Sequence, residues 1–289
     1  MASRVWLITG TSSGFGRRLV TSSLARGDRV IATARSLERL QDLVNSVDPG
    51  VRENLRTLQL DVTEGEAVLK AKVDKAAKIW GQIDVLVNNA GIGYPGILEE
   101  GGSALLRKQY ETNVFGLMDM TAATLPHLRA SKNAVLVVIG SRSGWKTELP
   151  GIGAYASSKA AVHALTETLS AELAPFNIRV LLVAPGSFRT EGIYGQQYNT
   201  SNPIPANDAI RAVSIQRFHA IPGSEKGDPD KAMEAVVDVV RGEGVAKGRP
   251  WPLYLVLGED AENDVEVKCT KVLKALEDWK DVTRGVNFD

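Results

Sequence analysis

Arg4-Val5-Trp6-Leu7-Ile8-Thr9-Gly10-Thr11-Ser12-Ser13-Gly14-Phe15-Gly16 joins three structural signals in one short segment. Its opening apolar run is the mark of a strand buried on both faces. The run leads straight into a glycine turn, and a helical pattern through Leu19, Val20 and Leu24 follows, closed by Gly27 as a C′ glycine. Strand, glycine turn and helix start together present backbone N–H groups to a pyrophosphate at a helix N-terminus. The spacing is Thr-Gly-x-x-x-Gly-x-Gly rather than Gly-x-Gly-x-x-Gly. Taken alone, it fits a plain tight turn equally well.

Working outward, a second strand Arg29 to Ala34 ends at Arg35. In a dinucleotide fold this strand end lies beside the adenosine ribose, where an acidic residue would select NAD. Ala34 followed by a guanidinium able to hold phosphate in a bidentate pair points to NADP(H); the alternative is that Arg35 stacks on the adenine and leaves the choice loose. The alternation continues: a helix from about Ser36 to Val47, a strand Leu55 to Leu60 ending in Asp61-Val62, and a helix to Trp80. Strand Ile83 to Val87 ends in Asn88-Asn89-Ala90-Gly91, small and amide residues suited to close passage of a cofactor. A long helix is expected from about Ser103 to Leu128 with Asn113 in its middle. Asn is a mediocre helix former, so Asn113 either caps or kinks something or is an incidental surface residue. Strand Ala134 to Ile139 leads to Gly140-Ser141, a helix ends near Ala174, and strand Ile178 to Ala184 ends in Pro185-Gly186. The pattern predicts an α/β fold: one doubly wound parallel sheet (a Rossmann fold) of about seven strands with helices on both faces, in a single domain over residues 1–289. From 187 to 228 it dissolves into a loop expected to be a lid or substrate-binding segment. Asp228 caps a helix to about Arg241, Leu253 to Leu257 is a last strand, and an amphipathic helix runs from about Asp260 to Val282.

Tyr155-Ala-Ser-Ser-Lys159 stands where a helix is expected to open. Residues four apart rise about 6 Å and sit within roughly 40° of each other, so phenol and ammonium share a face. The cation favours phenolate and pulls the phenol toward working pH, which suits a general acid. A Tyr-x-x-x-Lys pair also arises by chance as a surface Tyr stacked on a Lys stem. Its company makes the difference.

Composition fits a soluble globular chain of 289 residues, with 44% apolar and 24% charged residues. Acidic and basic residues balance at 34 each, which gives no electrostatic case for nucleic acid or an anionic membrane as partner. The single cysteine, Cys269, excludes an intrachain disulfide and fits a reducing compartment. His127, His163 and His219 show no metal-ligand spacing and read as surface or interface residues. A strand begins too early to leave room for a signal peptide, and no apolar stretch approaches the roughly 20 residues a membrane span needs. A cytoplasmic protein is expected.

Thr9-Gly10-x-x-x-Gly14-x-Gly16, Asp61, Asn88-Asn89-Ala90-Gly91, Asn113, Ser141, Tyr155-x-x-x-Lys159 and Pro185-Gly186-x-x-x-Thr190 occur in this order from Arg4 onward. The set resembles the short-chain dehydrogenase/reductase family, in its compact single-domain branch. The Ala34-Arg35 ending, Gly227-Asp228-Pro229 and the Trp279-containing tail resemble the 17β-hydroxysteroid-dehydrogenase-like reductases. The resemblance implies a catalytic set of Asn113, Ser141, Tyr155 and Lys159. Tyr155 would exchange a proton with the substrate oxygen, and Ser141 would hydrogen-bond that oxygen. Lys159 would hold the nicotinamide ribose and, together with the positive charge of the oxidised nicotinamide, acidify the phenol, a change from about 10 to about 7 that needs roughly 4 kcal/mol. Asn113 would bend its helix and bind a water leading from Lys159 to solvent. The glycine turn (Gly10, Ser12, Ser13, Gly14, Phe15, Gly16) would take the pyrophosphate, with Arg35, Asp61, Val62, Asn89, Ala90 and Gly91 on the adenosine side and Pro185, Gly186 and Thr190 at the carboxamide. The family places its Ser thirteen residues before the Tyr, where this chain has Arg142. Ser141, fourteen before, is favoured over Ser143, twelve before.

The implied activity is NADP(H)-dependent interconversion of a carbonyl and an alcohol, of carbonyl reductase or alcohol dehydrogenase type. Trp145, Tyr94, Phe188, Tyr194 and Tyr198 either line one cleft for an apolar or aromatic substrate or pack the lid. Arg142 and Lys146 either meet an anionic substrate group or are solvated. A non-catalytic NADP(H)-binding regulator is one rival reading, against which the complete Asn-Ser-Tyr-Lys set argues; a lyase or epimerase of the family's extended branch is the other, against which the glycine spacing and the size of the C-terminal region argue. Partners are expected to be a small carbonyl or alcohol substrate and further copies of the chain, as dimer or tetramer through the Asn113 and Tyr155 helices.

Overall fold

Strands apolar on both faces need a layer on each side, and the chain supplies both. A computed structural model describes residues 3–191 and 195–288; Tyr194 lies outside them. In chain order the elements are β1 (Val5–Ile8), α1 (Gly14–Ala25), β2 (Arg29–Ala34), α2 (Glu38–Ser46), β3 (Leu55–Gln59), α3 (Glu66–Trp80) and β4 (Val85–Asn88). Then come α4 (Leu98–Tyr110), a π turn (Glu111–Phe115), α5 (Gly116–Ala130), β5 (Val135–Ile139), α6 (Gly153–Leu173) and β6 (Arg179–Pro185). α7 (Asp208–Ala220), α8 (Pro229–Arg241), β7 (Tyr254–Leu257), α9 (Glu259–Asp278) and α10 (Lys280–Arg284) complete the fold.

The seven strands pair in parallel in the order β3-β2-β1-β4-β5-β6-β7. Because strand side chains alternate, each strand feeds two cores. Trp6 and Ile8 join the core under α1, α2 and α8, while Val5 and Leu7 join the one under α3, α5 and α6. The strand order reverses between β1 and β4, and a crevice opens at such a switch point beyond the carboxyl ends of the strands. That crevice is where the glycine turn and the Asn89 loop meet.

Two expectations are corrected. The expected helix begins at Ser103 as anticipated, after a break at Gly102 (φ 53°) that separates it from a turn starting at Leu98, but it is interrupted by the π turn at Glu111–Phe115. Asn113 is buried within it, and a π turn inserts a residue's worth of slack that lets its side chain leave the helix surface. The segment from 187 to 228 is not all loop, since it contains α7. This helix buries little beyond Ser214 and exposes Ile210 and Val213, so it carries no apolar stripe for the sequence to show. Gly27 closes α1 at φ 78°, and the Asp228 carboxylate caps α8 by accepting from the Asp230 and Lys231 amides, both as expected. Among the described residues no helix is long and apolar enough to cross a membrane.

Candidate active site

At the switch point, Thr9 and Asn89 lock the glycine turn to the end of β4. The Thr9 hydroxyl accepts from the Asn89 and Ala90 amides at 3.0 and 2.9 Å. The Asn89 side-chain amide donates to the carbonyls of Thr9 and Gly10 at 2.8 and 2.9 Å. Asn89 therefore shapes the turn from beneath. Gly10 has φ 68°, and a β-carbon on it would come 2.9 Å from Ala90 Cα. A β-carbon on Gly16 would collide with the Gly10 carbonyl and the Asn89 amide nitrogen. Gly16→Ala is therefore expected to force the turn open, at the ~1–3 kcal/mol typical of overpacking. A lowered melting temperature with a weakened dinucleotide dissociation constant, read by quenching of protein fluorescence, checks it.

The turn already holds an anion. The Glu191 carboxylate accepts from the Gly14 amide at 3.0 Å and pairs with both terminal nitrogens of Arg18 at 3.0 Å. The Arg18 bonds, helped by the Gly14 amide, lower its pKa to about 2. The Thr190 side chain lies opposite Gly14, 3.8 Å from where a β-carbon would be. A cleft of about 490 Å³ flanks the turn on its outer side, lined by Ser12, Ser13, Arg17, Arg18, Ser46 and Glu191 among others. Tyr155 does not line it, so this cleft is distinct from the reacting end of the site.

Across the crevice, α6 presents Tyr155 and Lys159 one turn apart. Ser141, buried at the head of a short 3-10 turn, Arg142–Gly144, lies beside the Tyr155 phenol and favours its ionised form. The Ser143 amide donates to Ser141 Oγ at 3.1 Å, so Ser143 supports the loop that carries Ser141. Lys159 Nζ donates to the Ile139 carbonyl at 2.7 Å and stands 5.9 Å from the Tyr155 ring centroid. Gly93 lies against the phenol ring, with its β-carbon position 3.5 Å from Cδ2. The expected acidified phenol relies on the nicotinamide's charge as well as Lys159, and the chain's own groups act the other way. Burial raises the Tyr155 pKa, only partly opposed by Ser141, and burial lowers Lys159 to about 8. The protein's own groups thus keep the phenol protonated.

Asn113 reaches this cluster from the π turn. Its Oδ1 accepts from the Ile92 amide at 2.9 Å, and its Nδ2 donates to the Ile92 carbonyl and Ser158 Oγ, each at 3.0 Å. Ser158 in turn donates to the Tyr155 carbonyl at 2.7 Å. Gly91 sits over the pair, its β-carbon position 3.5 Å from Asn113 Oδ1 and 3.7 Å from Lys159 Nζ.

Two buried residues escaped the sequence reading. Gln109 holds the same loop, donating to the Ile92 carbonyl at 2.6 Å and accepting from the Tyr94 amide at 2.8 Å. His163, expected at a surface or interface, is buried under the Ser141 loop, where its Nε2 accepts from the Ser141 amide at 3.3 Å. The signal was available: 155, 159 and 163 recur every four residues, which puts His163 on the same helical stripe as the pair.

The other expected contacts are placed as follows. Arg35 is exposed at the end of β2. Asp61 folds back onto Thr63, and Val62 packs on Gly116. Pro185 ends β6, and Gly186 lies so close to Asp260 that a side chain there would collide with it. Phe188 stacks edge-on against Phe15 at 5.6 Å and belongs to the core. Trp145 covers His163 at 4.5 Å, and Tyr198 donates to Ser214 at 2.9 Å. Most of these aromatics therefore pack the structure. Arg142 and Lys146 are both paired to Asp264, at 2.8 and 2.6 Å.

A profile described as short chain dehydrogenase matches residues 4–197. Oxidoreductase BOA17 of Botryotinia fuckeliana is 34% identical over 284 residues, covering 97% of this chain and 98% of that protein. The uncharacterized oxidoreductase YusZ of Bacillus subtilis is 34% identical over 240 residues, covering 82% and 84%. A crystal structure of a short-chain dehydrogenase from Streptomyces avermitilis superposes with a TM-score of 0.84 at 36% identity, covering 99% of this chain and 100% of that one.

Proposed function

The chain belongs to the short-chain dehydrogenase/reductase family of oxidoreductases, and from that premise we propose that it reduces a ketone or aldehyde to an alcohol with NADPH, Tyr155 delivering the proton. The observation that carries this reading is the buried Tyr155 phenol set beside Ser141, one helical turn from Lys159, whose ammonium stands 5.9 Å from the ring centroid.

The residues of the crevice fit a dinucleotide. The first turn of α1 already binds a carboxylate through the Gly14 amide, as a helix N-terminus binds phosphate. Gly10 and Gly16 leave the backbone bare where a pyrophosphate must come close. When bound, the nicotinamide supplies the hydride. The chain's part is to hold the carbonyl oxygen between Ser141 Oγ and Tyr155 Oη and to pass the phenolic proton to it as charge develops. A phenol that burial keeps protonated is set to donate to the carbonyl oxygen. Lys159, Asn113 and the Ile92 backbone fix the height and tilt of α6 against the crevice.

Solved neighbours of this fold hold NAD in a Burkholderia phymatum protein and NADP in one from Burkholderia cenocepacia, so the fold does not select the cofactor. The exposed Arg35 guanidinium after Ala34 supports NADPH. A hydrogen bond to a charged group contributes about 1.5–3 kcal/mol, so Arg35→Ala is expected to lower the NADPH-over-NADH preference in kcat/KM by about tenfold to a hundredfold. If NADH serves as well as NADPH and Arg35→Ala leaves the ratio alone, the cofactor reading fails. The substrate is apolar or aromatic, because Arg142 and Lys146 by the Ser141 loop are neutralised by Asp260 and Asp264 and offer nothing to a carboxylate. A screen of steroids, retinoids, aryl ketones and sugars, run with both cofactors, tests the assignment. NADPH consumption only with sugars, or with no ketone at all, overturns it.

A further inference from the structure

α9 leaves the body of the protein with an apolar stripe that nothing covers. Its first turn is anchored, since Asp260 and Asp264 hold Arg142, and Asp264 also holds Lys146. Farther out, the one side-chain hydrogen bond tying α9 to the body among the described residues is Lys271 to Glu148 at 2.6 Å. Val265, Cys269, Val272, Leu276 and Trp279 follow each other at spacings of four, three, four and three, the seam of a helix that pairs with another helix. Val265 is half-buried where the helix leaves the body, and from Cys269 onward every residue of the seam is exposed. Val272 is 47%, Leu273 66%, Leu276 56% and Trp279 64% exposed. A monomer in water has no use for so long an apolar seam.

We propose that α9 pairs antiparallel with α9 of a second copy of this chain. Antiparallel pairing sets Cys269 opposite the partner helix's position 279 and Val272 opposite its position 276, which closes the seam end to end. In that register Glu266 comes near Lys280, the first residue of α10 just past the end of α9, twice over by symmetry, and Leu273 meets its own copy beside the seam. Ala275 on the other flank is small enough for close approach. The surface is self-complementary, as a two-fold interface must be. A helix of 20 residues is about 30 Å long, so the contact spans several layers. A bilayer surface is the poorer occupant, because it calls for a basic polar face. From Glu259 to Arg284 acidic residues outnumber basic ones eight to five.

The test uses the full chain. Light scattering behind size exclusion is expected to give an even multiple of the monomer mass, halved by Leu273→Glu with Leu276→Glu, while circular dichroism and the melting temperature stay unchanged. Trp279→Cys is then expected to form a covalent dimer through Cys269 of the other copy on mild oxidation. Within one helix the two positions are about 15 Å apart, too far for a disulfide. A monomeric wild type, or an oligomer that keeps its mass in the double variant because it is held through α5 and α6, overturns the proposal. So does a double variant of halved mass without the covalent dimer, which would place α9 on another surface of the partner. Sedimentation of a monomeric chain with phosphatidylserine vesicles would reassign the stripe to membrane and overturn it equally.

Discussion

Tyr155→Phe is expected to lower kcat for carbonyl reduction by about a hundredfold to ten-thousandfold, the range a positioned general acid contributes. Dinucleotide binding should survive. The ring lies against Gly93 and phenylalanine keeps that contact, so what disappears is the oxygen beside Ser141. One neutral hydrogen bond contributes about 0.5–1.5 kcal/mol, so any loss in NADPH affinity should stay within about tenfold. The measurement pairs stopped-flow NADPH oxidation with the dissociation constant read from bound NADPH fluorescence. A variant that turns over at the wild-type rate removes Tyr155 from the chemistry. One that loses binding and turnover together shows a collapsed site, and then the phenol's role as proton donor is unsupported. Only the split, with turnover lost and binding kept, marks a group that acts in the transition state.

The fold was legible because a parallel sheet covered on both sides writes its strands as short apolar runs. Val135–Ile139 and Arg179–Pro185 are examples, each found within a residue of its observed bounds. The glycine turn was legible for a related reason, since Gly10 and Gly16 are places where any side chain meets backbone. The anchoring network was not. Asn113 was singled out for its poor helix propensity, but its bonds to Ile92 and Ser158 depend on a π turn that no propensity describes. Arg142 and Lys146 looked available because their partner, Asp264, lies more than a hundred residues on and meets them only after β7 has taken the sheet edge. Glu191 was passed over because its partners, Gly14 and Arg18, are equally distant in sequence. Long-range ion pairs leave no periodicity, and neither does a histidine hidden by a loop from another strand.

That histidine gives the second large effect, an acid limb in stability that one residue dominates. The His163 ring lies between the Ser141 loop and Trp145, and β-carbons on Gly140 or Gly144 would collide with it. Its Nε2 accepts from the Ser141 amide, so the ring must be neutral there, and its Nδ1 is buried without a partner among the described residues. Burial first, and the nearby Lys159 ammonium second, lower its pKa from 6.5 to about 4. The folded pKa lies below the unfolded one, so as pH falls the unfolded chain takes up this proton first. Stability from the neutral ring is complete above about pH 6.5 and drains away as pH falls toward 4, by ~3 kcal/mol in all. About 2 kcal/mol of that should be gone by pH 5. Urea unfolding at pH 7.5 and pH 5, on wild type and His163→Asn, isolates the contribution, since His127 and His219 remain in both proteins. The variant is expected to start less stable, through the lost Ser141 bond, yet to fall less steeply between the two pH values. Equal falls would mean that His163 titrates alike in the folded and unfolded chains. Protonating Nε2 also sets an N–H against the Ser141 N–H, so the loop that carries the substrate's hydrogen-bond partner should yield first. Reductase activity is therefore expected to fade in acid before the fold does, and to recover on return to neutral pH.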